Sequence, residues 1–150
     1  MSHQNIAYSE ARHPAQHRQR VGLIALFFGL FAGPITWSGN EMVTYGLAVH
    51  ACYPDAWPQD TVTAGFGFAW PLILGLYLAS LCICAAAFAV SYRNWAVTGS
   101  ESEGHAHHLI EVGEGRTRYL SIIGMAFSVL FFCATMYGAI VMATVPLCVH

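Results

Sequence analysis

Glu41 is the one acid inside an apolar stretch of this 150-residue sequence, and an ionisable group within a membrane-length run is costly enough to mark a site. Trp37, Asn40, Thr44 and Tyr45 lie within one helical turn of it, on adjoining faces if the run is helical. A carboxyl beside an amide, a hydroxyl and a phenol could contact a quinone headgroup or a lipid, pass protons, or hydrogen-bond a neighbouring helix. The plainer reading is a hydrated or locally paired acid near the headgroups. Residue types alone leave these open.

Other chemistry-bearing side chains are less well framed. His105, His107 and His108 have the residue type of a metal site, yet they stand in a Gly- and Glu-rich stretch without Cys. A solvated loop fits that context better than a rigid ligand set. His50 is the one histidine in an apolar run, with His150 in reach outside it. Haem in a bundle takes histidines that face each other, so no intrinsic haem or other cofactor, no metal and no catalytic residue is expected. Cys82 and Cys84 point about 200° apart on a helix and cannot bond each other. With Cys133 they are expected to be packing residues.

The elements that must position these groups follow from hydropathy. The chain is 56% hydrophobic and 9% charged, against about 25% charged in soluble domains, whose surface water must wet. The net charge of −2 offers no attraction for nucleic acid. Three apolar stretches, about 21–52, 62–92 and 119–145, each exceed the roughly 20 residues that cross about 30 Å of hydrocarbon, and none suffices for two crossings. The first lies behind about twenty polar residues and is longer than a signal-peptide core. The expected fold is therefore all-α, a single membrane domain of three transmembrane helices. It would have a polar N-terminal tail over 1–20, a short loop after the first span and a polar loop over 93–118.

All six basic residues are arginines. Arg12, Arg18 and Arg20 precede the first span, and Arg93, Arg116 and Arg118 occupy the second loop. Three crossings put them all on one side, which the positive-inside rule makes cytoplasmic, leaving the C-terminus periplasmic. Tyr92, Trp95 and Tyr119 would mark the inner boundary, and Tyr53 and Trp57 the outer one. Gly33–Pro34 predicts a kink in the first helix, because Pro34 lacks an N–H and crowds the Leu30 carbonyl. The second helix could start near Val62 or only at Pro71, where a missing N–H costs nothing. Gly75 with Ala79, Gly124 with Ser128, and Ala139 with Ala143 are small pairs that permit close helix packing.

The same topology gives Cys52 and Cys148 a role. Both fall at the outer ends of their helices, beside Pro54 and Pro146. In an oxidising periplasm two thiols on one face are expected to pair, which would staple the first helix to the third.

Gly33-Pro34-Ile35-Thr36-Trp37, Tyr45-Gly46-Leu47, Cys52-Tyr53-Pro54 and the terminal Pro146-Leu147-Cys148 resemble the pattern of small bacterial three-helix membrane proteins often encoded beside haem–copper oxidase subunits. The match covers the first helix and the last few residues. Members carry His or Gln near the positions of Asn40 and Glu41, so Glu41 departs from the pattern and inherits no role. The resemblance implies location and company: an accessory, non-catalytic structural subunit of a respiratory electron-transfer complex, a terminal oxidase above all, in the bacterial inner membrane. Its partners would be subunits of that larger complex and lipids. Two alternatives stay open. One is a membrane anchor for a periplasmic dehydrogenase or cytochrome. The other is a small homo-oligomeric transporter or channel with Glu41 in its path, which the absence of inverted repeats disfavours.

Overall fold

The computed structural model describes residues 21–54, 57–98, 116–145 and 147–148. Its architecture is an all-helical bundle of three helices, α1 (Leu23–Cys52), α2 (Ala69–Val97) and α3 (Arg116–Thr144), with no strand among the described residues. Each helix pairs with both others. Each is long and apolar enough to cross a membrane, and the chain is read here as a multi-pass membrane protein. His105, His107, His108 and His150 lie outside the described residues, as do Arg12, Arg18 and Arg20.

The helices carry no polar face to tell inside from outside, which is the arrangement expected of spans surrounded by lipid. Burial instead follows small residues. On α2 the buried positions are Ala69, Ile73, Tyr77, Ser80, Cys84, Ala87, Ser91 and Asn94. Their alternating spacing of four and three averages 3.5, the repeat that keeps one seam facing its neighbours. Ser121, Gly124, Ser128 and Thr135 continue the same period on α3. Large side chains such as Ile24, Leu78, Leu130 and Tyr137 point outward. Between helices in lipid there is little hydrophobic drive, and close backbone approach at small residues takes its place.

A buried hydroxyl in that seam needs a partner. Ser80, Ser121, Ser128 and Thr135 each donate to the carbonyl four residues back, at 2.7–2.8 Å. Their polar atoms are thus satisfied within their own helix, and the seam stays narrow. Of the small pairs expected to pack, only Gly124 with Ser128 does so. Gly75, Ala79 and Ala143 are exposed, because the seam runs through other residues of their helices. Cys84 packs in the seam, whereas Cys82 and Cys133 face outward and do not pack within the bundle.

α1 runs unbroken through Pro34. α2 begins at Ala69, neither at Val62 nor at Pro71; Pro71 falls in the first turn, where an N–H has no intrahelical partner in any case. Thr61 to Phe68 belong instead to a cap over the end of α1. Gln59 N–H donates to the Cys52 carbonyl, and both N–H and Oγ1 of Thr63 donate to the Ala51 carbonyl. These are carbonyls that a helix end leaves without partners. The Thr63–Phe66 turn takes Gly65 at φ +97°, a value that glycine adopts without strain. Trp70 Nε1 closes the cap by donating to the Met142 carbonyl on α3 at 3.2 Å.

Candidate functional site

Cys52 and Cys148 form a disulfide at this capped end, with Cα atoms 5.5 Å apart, inside the range a bridge requires. Ala51, Cys52, Ala69 and Cys148 make a small buried cluster there, with Phe66 and Leu147 packed against it. The bridge joins the last turn of α1 to the segment just after α3. At the other end Arg118 stands over the Trp95 ring at 5.5 Å, and Tyr92 packs beside Trp95 at 5.8 Å. That cation–π contact suits an interfacial belt.

Glu41 lies deep between the two ends. Trp70 and Tyr92, both outward-facing, bracket about 33 Å of α2, with residue 81 at the midpoint. Tyr77 is then about 6 Å from the midplane on the disulfide side. Its hydroxyl donates to Glu41 Oε1 at 3.1 Å. The carboxyl therefore sits near the middle of the bundle, away from the ends that Trp70 and Tyr92 mark. Its contact is helix-to-helix.

The cluster drawn from sequence divides in the structure. Asn40 and Thr44 turn inward and are buried. Trp37 is half-buried and packs on Phe131 of α3 at 5.6 Å. Tyr45 is 74% exposed and belongs to the outer surface, because it falls one residue out of phase with Thr44. Tyr77 was missed. The α2 repeat that buries it in step with Ile73 and Ser80 has no polar stripe to mark it in the sequence, and α3 makes room for it at Gly138. A Cβ at Gly138 would stand 2.7 Å from the Tyr77 ring. His50 is exposed.

What the arrangement can do chemically is hold helices together. Replacing Glu41 by Leu and Tyr77 by Phe, singly and together, should give a coupling energy of about 0.6–1.7 kcal/mol, the range of hydrogen bonds between membrane helices. Glu41→Gln should lie within a few tenths of the parent, because its amide oxygen accepts the same bond. Unfolding in mild detergent measures all four members of the cycle. Zero coupling would remove the latch role.

Fold and site together define a three-helix membrane bundle, latched near its midplane by a tyrosine–glutamate bond and stapled at one end by a disulfide. Comparison of the chain with models of protein families, with curated proteins and with solved structures gave no match.

Proposed function

We propose that this chain is an accessory, non-catalytic structural subunit of a respiratory electron-transfer complex, a terminal haem–copper oxidase above all, in the bacterial cytoplasmic membrane. The observation that carries a structural role is how Glu41 and the seam hydroxyls of α2 and α3 are used. The acid is bonded to Tyr77, and four seam hydroxyls are bonded to carbonyls of their own helices. These groups fasten and narrow the bundle. The respiratory assignment rests on the Gly33–Trp37, Cys52–Pro54 and Pro146–Cys148 resemblance.

Orientation is part of the reading. Arg93 and Arg118 lie at the end opposite the disulfide, so the positive-inside rule and an oxidising compartment agree on cytoplasm at one face and periplasm at the other. Reporter fusions after Trp95 should read cytoplasmic, and fusions after Trp57 or at the C-terminus periplasmic. A cytoplasmic C-terminus would overturn the orientation.

The functional test is turnover per catalytic cofactor in complexes purified with and without this subunit. Deletion should lower the amount of intact complex more than its turnover. Loss of turnover in a complex that keeps its cofactors would assign chemistry to this chain. Co-purification with a periplasmic dehydrogenase would favour the anchor reading instead.

A further inference from the structure

Ser80, Ser128 and Thr135 satisfy their buried hydroxyls on carbonyls of their own helices. Asn40 and Thr44 of α1 do not. Asn40 Nδ2 and Oδ1 and Thr44 Oγ1 are enclosed in the bundle and hydrogen-bond to no protein group, with Asn40 5% exposed and Thr44 3%. A buried carboxamide or hydroxyl without partners is costly. We infer that these atoms hold bound water on the axis of the bundle, bridging Asn40 to Thr44 within α1 and to Ser80 of α2 and Thr135 of α3. The inference is independent of which complex the chain joins.

Helix register brings these groups to one level. Gly29 of α1 and Gly124 of α3 both meet Ser91 of α2. Eleven residues further along each helix, from 29 to 40, from 91 back to 80 and from 124 to 135, stand Asn40, Ser80 and Thr135. Eleven residues make about three turns and about 16 Å of rise, so the three share a level and keep the inward direction of that crossing. All three are buried. Tyr77 keeps the same register, with its ring beside Gly138 and its hydroxyl on Glu41. Thr44 follows Asn40 by one turn, and its Oγ1 stands near the Tyr77 hydroxyl but beyond hydrogen-bond distance.

The chemistry of the set selects the ligand. Ser80 and Thr135 donate their hydrogens to the Leu76 and Phe131 carbonyls, so each keeps lone pairs but offers no proton. Asn40 needs an acceptor for Nδ2 and a donor for Oδ1, and Thr44 has a proton to give. Water meets each need. One bridge runs from the Thr44 hydroxyl through water to Asn40 Oδ1, and the other from Nδ2 through water to the oxygen of Ser80 or Thr135. Groups too far apart to bond directly are joined by a molecule that reaches about 2.8 Å to each, and buried waters characteristically serve such otherwise unmet groups. An apolar molecule supplies neither donor nor acceptor, and a cation would repel the Nδ2 hydrogens.

The test uses the full chain in lipid nanodiscs with isotope-labelled asparagine, followed by nuclear magnetic resonance. Asn40→Gln identifies the Asn40 amide signal by its loss. In the parent that signal should show cross-relaxation with water despite its burial. Thr44→Val should reduce the transfer several-fold while Thr44→Ser keeps it, and Ser80→Ala combined with Thr135→Val should reduce it as well. In unfolding, Asn40→Leu and Thr44→Val should be non-additive, with a coupling of about three- to ten-fold in the folded-to-unfolded ratio. Formation of the Cys52–Cys148 bridge on non-reducing gels reports that each variant folds. No transfer at Asn40 in the parent, transfer indifferent to Thr44→Val, additive unfolding, or a direct bond from the Asn40 amide to Ser80 or Thr135 would overturn the inference.

Discussion

Gly124→Ala is expected to destabilise the bundle by about 2–3 kcal/mol, and Gly29→Ala by about 1 kcal/mol, within the range for overpacking a filled interior. Both glycines meet Ser91 of α2 at a close crossing of the three helices. A Cβ at Gly29 would overlap Ser91 Oγ. That oxygen can turn to another rotamer, so the penalty is moderate. A Cβ at Gly124 would stand 2.7 Å from the same Oγ and 3.2 Å from the Gly29 carbonyl oxygen. Backbone cannot turn aside, and α3 must move away from α1. The two variants should therefore respond differently to Ser91→Ala. Combined with Gly29→Ala it should restore nearly all the loss, because the remaining Ser91 Cβ lies at 3.5 Å, an ordinary contact. Combined with Gly124→Ala it should restore only part. Reversible unfolding in detergent, or steric trapping in bicelles, measures the four variants. Equal rescue of both would mean that the helices are free to separate at this crossing.

Removing the disulfide has the second large effect. The bridge spans 96 residues of sequence, and a loop near that length corresponds to about 4.7 kcal/mol of chain entropy in a soluble unfolded state. Inserted helices are already confined to the bilayer, so the unfolded reference has less freedom to lose, and Cys148→Ser should cost about 2–4 kcal/mol. Its effect should also be uneven along the bundle. Ala51, Ala69, Phe66 and Leu147 pack around the bridge, and their end should open first. Hydrogen exchange should rise at the cap, from Gln59 to Phe68, while the crossing at Gly29, Ser91 and Gly124 keeps its protection. Uniform loss of protection would show instead that the bundle opens as one unit.

The three spans and the partnership of Cys52 with Cys148 could be read from sequence because each depends on length and parity alone. Hydrocarbon thickness sets how long an apolar run must be, and an odd number of crossings brings the ends of the first and third helices to one face. The exact start of α2 could not be read. Its beginning at Ala69 depends on Thr63 and Gln59 folding back onto α1 carbonyls, a contact between residues that share no local pattern.

The inner faces were hidden for a physical reason. In a soluble helix the polar stripe marks the outside, but here both faces are apolar, and the distinguishing side is the one with small residues and hydroxyls. Adjacent positions such as Thr44 and Tyr45 carry the same kind of group, yet Thr44 is buried and Tyr45 is exposed. Gly75 with Ala79 and Gly124 with Ser128 have identical spacing, but only the second pair lies in the seam. Tyr77 reaches Glu41 because Gly138 on a third helix leaves room for its ring. Run length and charge placement were enough to say that the chain crosses three times; which residues meet inside depended on how three separate helices rotate about their axes, and that rotation is set by small residues far apart in the chain.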